Sequence, residues 1–311
     1  MELVQGLSVV CPVYCSERTL GRLVEEICLA LPNQSDFEII LVDDQSKDGS
    51  WNEIVSIGKV NSHVRGIKLG RNVGQHGALL AGVREARFQT TVTLDDDLQN
   101  PPSEIFKVLD ALKDGVDVVY GVSSGVRQSF SRRFASRFAK ALFQIILGFD
   151  HATEISSFRA FRTELRNGFS NDLGPNISLD SLLTWSTTSF ISVEVRHDKR
   201  STGKSNYNIR SLFKFMFDTA TGYSTVPLRF ATMIGSTVTL LGLLMFLWVT
   251  IRPVVTGVSV PGFPLLASSL AIFSGTQLLM LGILGEYIGK MHFRVMNKPT
   301  YLISQRTGSS E

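Results

Sequence analysis

Between Phe230 and Gly285 the sequence carries a single charged residue, Arg252. Two uninterrupted apolar stretches lie inside that window, Ala231 to Ile251 and Phe263 to Leu284. At 1.5 Å per helical residue, each is long enough to cross a hydrocarbon core of about 30 Å. Helices buried inside soluble proteins rarely run so far without a charge, which leaves a membrane hairpin as the expected form. The linker between the stretches contains Pro253 and Pro261 and is expected to be a tight extra-cytoplasmic loop. Lys199, Arg200, Lys204, Arg210, Lys214 and Arg229 precede the first stretch, and Lys290, Arg294, Lys298 and Arg306 follow the second. This bias places both flanks, and both termini, on the cytoplasmic side of an inner membrane. No N-terminal signal peptide is read, because the first apolar run is only LSVVCPVY.

The remainder is ordinary for a soluble domain. The whole chain has 311 residues, a net charge of +3 and 19% charged residues, so the shortfall in charge sits in the hairpin. So mild a basic balance gives no reason to expect nucleic acid. Three cysteines, Cys11, Cys15 and Cys28, suit neither a disulfide framework nor a zinc site and read as reduced thiols. Tyr207 to Pro227 mixes Leu212, Phe213, Phe215 and Phe217 with Arg210 and Lys214, the composition of interfacial helices lying on a leaflet. The expected organisation is therefore a cytoplasmic domain over 1–206, interfacial helices over 207–228, and spans over 229–252 and 263–291. The loop 253–262 joins the spans, and a cytoplasmic tail covers 292–311. The tail from Ser304 onward is polar and is expected to be disordered.

Within the soluble part, strand-like and helix-like segments alternate. Strands are expected over 7–13, 37–44, 64–69, 90–97 and 116–121. Helices are expected over 20–31, 78–88, from Pro101 to Leu112, and, as a basic amphipathic helix, over 129–147. Such alternation implies a mostly parallel sheet with helices on both faces, which binds ligands beyond the carboxyl ends of its strands. The acidic residues fall there: Asp43 and Asp44 close the second strand, and Asp95, Asp96 and Asp97 the fourth. Residues i and i+2 of a strand share a face, so Asp95 and Asp97 are expected to point together. Two oxygen ligands with open positions suit Mg²⁺ or Mn²⁺ on a diphosphate. Glycine-rich phosphate loops and nucleophile elbows are absent from the sequence.

The segments SVVCPVY (8–14), IILVDDQSKDGS (39–50), LGRNVGQHGALLAG (69–82), TLDDDLQNPP (93–102), SSFRAFR (156–162) and KRSTGKSNY (199–207) together resemble the family-2 glycosyltransferases, and within them the polyprenyl-phosphate sugar transferases. TVPLRFATMIGS (225–236) and GILGEYIGKMHFR (282–294) resemble the bacterial two-span members. The resemblance implies a GT-A-like, Rossmann-like domain that transfers a sugar, with inversion, from a nucleotide-diphosphate sugar, expected to be a UDP-sugar, to polyprenyl (undecaprenyl) phosphate. It implies donor contacts from Pro12, Tyr14, Glu17, Asp43, Asp44, Asp96, Arg127 and Lys204. A metal, Mg²⁺ or Mn²⁺, is implied on Asp95, Asp97 and Gln99, and acceptor-phosphate contacts on Ser157, Arg159 and Ser205. Asp95, Asp97, Arg159 and Arg200 are the catalytic set so implied, with Asp180 and Glu154 as reserve bases. Cys15 and Ser16 stand where the family often has Asn-Glu, and Asn206 where a lysine is common. Two other readings of the chain are an inactive nucleotide-sugar-binding membrane scaffold and a processive polysaccharide synthase; the intact Asp95, Asp97 and Gln99 oppose the first, and the lack of a Q-x-x-R-W segment the second. Gly235, Ser236, Gly242, Ser269 and Gly275 permit close helix packing and hence a homo-oligomer.

Overall fold

A computed structural model describes residues 3–31, 36–123, 155–169, 178–198, 226–257, 262–296 and 299–308. The expected helix over 129–147 and the interfacial helices before Val226 lie outside these residues.

Strand β1 (Val4–Val13) leads through α1 (Glu17–Ala30) to β2 (Phe37–Asp43), then α2 (Ser50–Val60), β3 (Val64–Leu69), α3 (Gln75–Glu85) and β4 (Phe88–Thr93). After a 3-10 turn (Pro102–Glu104) come α4 (Ile105–Ala111), β5 (Val118–Ser123), β6 (Arg159–Arg162), α5 (Leu179–Ser186) and β7 (Phe190–Val195). Pro101 and Pro102 open the turn before α4, where a missing N–H costs nothing. The long helices α6 (Val226–Thr256) and α7 (Gly262–Val295) follow, and β8 (Ile303–Thr307) ends the described chain.

The strands form one sheet of eight in the order β7-β5-β6-β4-β1-β2-β3-β8. β1 pairs in parallel with β2 and β4, β2 with β3, and β5 with β7. β6 runs antiparallel between β4 and β5, and β8 antiparallel on the outer edge of β3. The sheet is thus mostly parallel, as expected, with two reversed strands.

Because side chains alternate across a strand, β1 feeds both faces. Val9, Cys11 and Val13 enter a core with Leu20, Leu23 and Ile27 of α1 and Ile105 and Val108 of α4. Val10 enters the opposite core, with Leu79, Leu80 and Val83 of α3 and Leu179 and Leu182 of α5. β2 is buried along its whole length, the pattern of a central parallel strand covered on both sides.

The tail departs from expectation. Ile303–Thr307 is a strand, registered as Gly66 opposite Thr307, Ile67 opposite Arg306 and Lys68 opposite Gln305. The edge of β3 supplies backbone partners that the polar sequence of the tail does not advertise.

The two apolar helices are 31 and 34 residues long. At 1.5 Å per residue these lengths are about 46 and 51 Å, more than a bilayer core requires. Pro227–Val249 has a mean hydropathy of 2.0 and Ile272–Gly289 of 1.2, and almost none of either is buried within the protein. Leu240, Leu243, Phe246, Leu270, Leu278 and Leu281 are all exposed. A core helix of a soluble protein hides such residues, so the exposure marks a membrane protein. The helices meet closely where side chains are smallest. A Cβ added at Gly235 would lie 2.2 Å from Met280 Cε, and one at Gly242 2.5 Å from Phe273 Cζ.

Candidate active site

The carboxyl ends of β1, β2 and β4 and the loop from β3 to α3 enclose a cleft of about 620 Å³. Pro12, Val13, Tyr14, Asp44, Asn72, Gly74, Gln75, Asp95, Asp96, Asp97, Gln99 and Ser157 line it. Among the described residues, three other than glycine have left-handed backbone, Cys15 (φ 55°), Gln45 (φ 57°) and Leu98 (φ 59°). Each follows the end of one of the three strands. Such conformations cost about 1–3 kcal/mol each and gather where a chain must turn sharply around a site. Side chains hold the turns in place. Cys15 N–H donates to Ser46 Oγ at 3.0 Å, and Ser46 N–H donates to Asp43 Oδ1 at 3.1 Å.

Asp43 and Asp44 form the buried wall. Asp43 is wholly enclosed, and its Oδ2 has no hydrogen-bond partner among the described residues. Asp44 is 3% exposed. Its carboxylate accepts Val73 N–H at 2.7 Å and Gly74 N–H at 2.8 Å, while Asn72 Nδ2 donates to its backbone oxygen at 3.1 Å. Burial raises the Asp44 pKa above the ordinary carboxylate value, the two N–H donors oppose the shift, and Asp43 adds to it. Gly74, at φ +84°, lets the loop turn so that both N–H groups face one carboxylate.

The second acidic group lies in a turn. β4 ends at Thr93, so Asp95, Asp96 and Asp97 do not alternate as strand residues, and the expected sharing of one strand face fails. The turn instead brings all three to the cleft. Asp95 is held from two sides: Ser157 Oγ donates to Oδ2 at 2.5 Å and Gln75 Nε2 to Oδ1 at 2.7 Å. Asp97 Oδ1 accepts Gln99 N–H at 3.1 Å. Asp96 turns toward β1, where its Oδ2 accepts Tyr14 N–H at 3.1 Å and the hydroxyl of Ser16. Burial pushes the Asp96 pKa up to about 6, against the pull of those two donors, with Asp95 and Asp97 adding to the rise.

Arg159 does not face the cleft. It is 1% exposed; its guanidinium pairs with Asp180, and its Nε donates to Thr93 Oγ1 at 3.1 Å. Tyr120 OH also donates to Asp180, at 3.0 Å. Thr93 Oγ1 in turn donates to the backbone oxygen of Ser157 at 2.6 Å. The residue expected at the acceptor phosphate is therefore a buried brace beneath Ser157, because a carboxylate 21 positions along the chain takes its charge. Asp180, a reserve base by sequence, is used up in the same pair. Glu17 is also displaced: it accepts Gly49 N–H at 3.1 Å before α2 and does not line the cleft. Arg127, Arg200, Lys204, Ser205 and Glu154 lie outside the described residues. Asn72 and Gln75, which the sequence reading did not assign, do line the cleft.

The donor set suits a hard divalent cation. Asp95, Asp97 and Gln99 line one cleft, and their side chains carry the carboxylate and amide oxygens that such cations take. No group of three His, Cys, Asp or Glu side chains converges as a ready-made cage among the described residues. Mg²⁺ is commonly held by one or two carboxylates together with substrate phosphates, so a partial protein set is enough.

Residues 8–169 match the family described as Glycosyl transferase family 2. Proteins named undecaprenyl-phosphate 4-deoxy-4-formamido-L-arabinose transferase are similar over nearly the whole length. The one from Aeromonas hydrophila is 34% identical over 306 residues, covering 97% of this chain and 94% of the relative. The one from Proteus mirabilis is 31% identical over 311 residues, covering 99% and 95%. Among solved structures, glucosyl-3-phosphoglycerate synthase from Mycobacterium tuberculosis, in complex with Mn²⁺, uridine diphosphate and glucosyl-3-phosphoglycerate, superposes with a TM-score of 0.52. It is 17% identical, covers 70% of this chain and 78% of its own, and shows that the fold is GT-A-like. A cleft at the carboxyl ends of a doubly wound sheet and a family match across that sheet lead to one conclusion: the chain belongs to glycosyl transferase family 2.

Proposed function

We propose that this glycosyltransferase moves a sugar, with inversion, from a UDP-sugar to undecaprenyl phosphate at the cytoplasmic face of the inner membrane. The observation that carries the reading is the union of an acidic, oxygen-lined cleft with two exposed apolar helices in one chain. Relatives similar over 97–99% of this chain, at 31–34% identity, are named undecaprenyl-phosphate 4-deoxy-4-formamido-L-arabinose transferase. The same reading makes the chain a two-span protein with both termini in the cytoplasm.

In this mechanism Asp95, Asp97 and Gln99 would hold Mg²⁺ or Mn²⁺. When bound, the cation offsets the charge that develops on the leaving nucleoside diphosphate. The protein's own part is positioning. Gln75 and Ser157 fix the Asp95 carboxylate from opposite sides, so little reorganisation is needed as charge develops. Pro12, Tyr14 and Asp44 form the donor wall, with Asp43 behind it. Ser157 lies on the acceptor side. The nucleophile is an oxygen of the lipid phosphate; a phosphate monoester has a second pKa of about 6, so the dianion predominates at neutral pH without a protein base. This fits a cleft in which Asp180 is committed to Arg159. Arg200, Lys204, Ser205 and Arg127 are assigned to the phosphates by sequence alone.

The test is a membrane assay with undecaprenyl phosphate, Mg²⁺ or Mn²⁺, and a panel of UDP- and GDP-sugars that includes the 4-deoxy-4-formamido-L-arabinose donor. A lipid-extractable product from one donor is expected. Donor hydrolysis without a lipid product overturns the acceptor assignment, and tight donor binding without turnover supports a scaffold instead.

A further inference from the structure

We infer that the tail beyond the membrane hairpin is a positioning element of the donor site, acting through Arg71 and the loop from β3 to α3. The inference rests on the proposed donor cleft and adds to it a part that the family match over 8–169 does not contain.

The contacts form a continuous path. β8 pairs with β3, and Gly70 N–H extends the ladder by donating to Leu302 O at 2.8 Å. The next residue, Arg71, donates from Nη2 to the backbone oxygens of Pro299 and Thr300, each at 3.3 Å. Asn72, Val73 and Gly74 follow, and all three bond to Asp44. Gln75 then opens α3 and reaches Asp95. Six consecutive residues, Gly70 to Gln75, thus run from the tail to both acidic walls of the cleft. Asn72, Gly74 and Gln75 line the cleft themselves.

The tail is anchored independently along its length. Thr300 is buried, and Tyr301 and Ile303 pack against the α3 face of the core. The Arg84 guanidinium lies 5.8 Å from the centre of the Tyr301 ring. Ser304 Oγ donates to Lys68 O at 3.0 Å, and Arg306 pairs with Glu85 at 2.9 Å. Thr307 occupies the space above Gly66, where an added Cβ would come 2.4 Å from Thr307 Cγ2. α7 ends at Val295, so only a few residues separate the membrane helix from the Arg71 clamp. A loop fixed at both ends keeps its cleft-lining residues, Asn72, Gly74 and Gln75, in place without paying for ordering at each binding event.

The test is UDP binding by calorimetry, with Mn²⁺, on the full chain in detergent and on a chain ending at Lys298. The shortened chain should bind about tenfold more weakly, the cost of a slightly misplaced binding loop. A synthetic peptide of residues 299–311 should restore part of the affinity. Arg71→Ala, which keeps β8, should weaken binding about threefold, and Arg71→Lys should recover some of the loss by retaining one donor. In the lipid-transfer assay the same variants should raise the donor KM and leave kcat at saturating donor nearly unchanged. Equal UDP affinity for the full and shortened chains, both folded by circular dichroism, overturns the inference and leaves the proposed function standing. If the shortened chain does not fold, unchanged UDP binding by Arg71→Ala overturns it alone. Failure of the full chain to bind any nucleoside diphosphate removes the proposed donor site, and this inference with it.

Discussion

Asp43-Asp44 and Asp95-Asp96-Asp97 look alike in the sequence, as runs of acid at the ends of parallel strands. The fold treats them differently. Asp43 and Asp44 are buried, and the backbone N–H groups of Ser46, Val73 and Gly74 hold them in place. Asp95 and Asp97 are half-buried on the open cleft, and Gln75, Ser157 and Gln99 orient them. A buried carboxylate tied to backbone N–H groups shapes a wall; a half-exposed one at the edge of a cleft can still meet a cation. The difference comes from the neighbouring loops and not from the acids.

That contrast is most exposed to Asp97→Ala. If the second group carries the cation, turnover in the lipid-transfer assay should fall by about 10³-fold or more, since such groups act where transition-state charge develops. The thermal midpoint should stay close to that of the native chain, because Asp97 supports no buried packing. Undiminished turnover would erase the division between wall and cation site.

Asp44→Ala should show the reverse balance. It leaves Val73 and Gly74 N–H without their acceptor, a loss of about 1–3 kcal/mol in a thermal or denaturant melt. UDP affinity should fall with it, because Asn72 and Gly74 line the cleft. A variant as stable as the native chain would show that the wall is not held by this carboxylate.

The convergence on one cleft was legible in the sequence, though the division within it was not. Pro12, Tyr14, Asp44, Asp95, Asp97, Gln99 and Ser157 all meet at one cleft, because strand ends in a parallel sheet converge whatever their distance in the chain. The five strands β1 to β5 were legible from their apolar runs, while β7, parallel to β5, was not read. Arg159 was misread, since an arginine in S-F-R has the same sequence signature whether it faces a ligand or Asp180. β8 was misread because an edge strand with three exposed residues, Ser304 to Arg306, lacks the alternation of a half-buried one. Gln75 gave no signal: its role depends on where α3 begins relative to β4. The expectation that Asp95 and Asp97 share a strand face failed because β4 ends at Thr93, so the three aspartates lie beyond the strand.

Ser157→Ala asks whether orientation at the second group matters. The hydroxyl donates to Asp95, and groups that orient candidate metal ligands are typically worth about 10- to 100-fold in metal affinity or activity. A rise of about tenfold in the Mn²⁺ concentration for half-maximal UDP binding is expected. Thr93→Val, one bond further back, should move the same midpoint in the same direction by less, since it removes the hydroxyl that links Arg159 to Ser157. An unshifted midpoint in both would show that Ser157 does not orient Asp95 for a cation.

The smallest effect should come from Ser16→Ala. Ser16 donates to Asp96, the member of the triple that faces β1 and not Asp95. Removing the hydroxyl leaves Tyr14 N–H still donating to the same oxygen, so the turn should persist. Above its pKa of about 6, Asp96 is a carboxylate, and a hydrogen bond to a charged group is worth about 1.5–3 kcal/mol; the surviving Tyr14 donor keeps that carboxylate in place, so a few-fold weakening of UDP binding is expected. The Mn²⁺ midpoint should not move, because Asp96 belongs structurally to the wall side of the turn. A shift as large as that of Ser157→Ala would place Asp96 with Asp95 and Asp97, and would redraw the boundary between wall and cation site through the middle of the acidic turn.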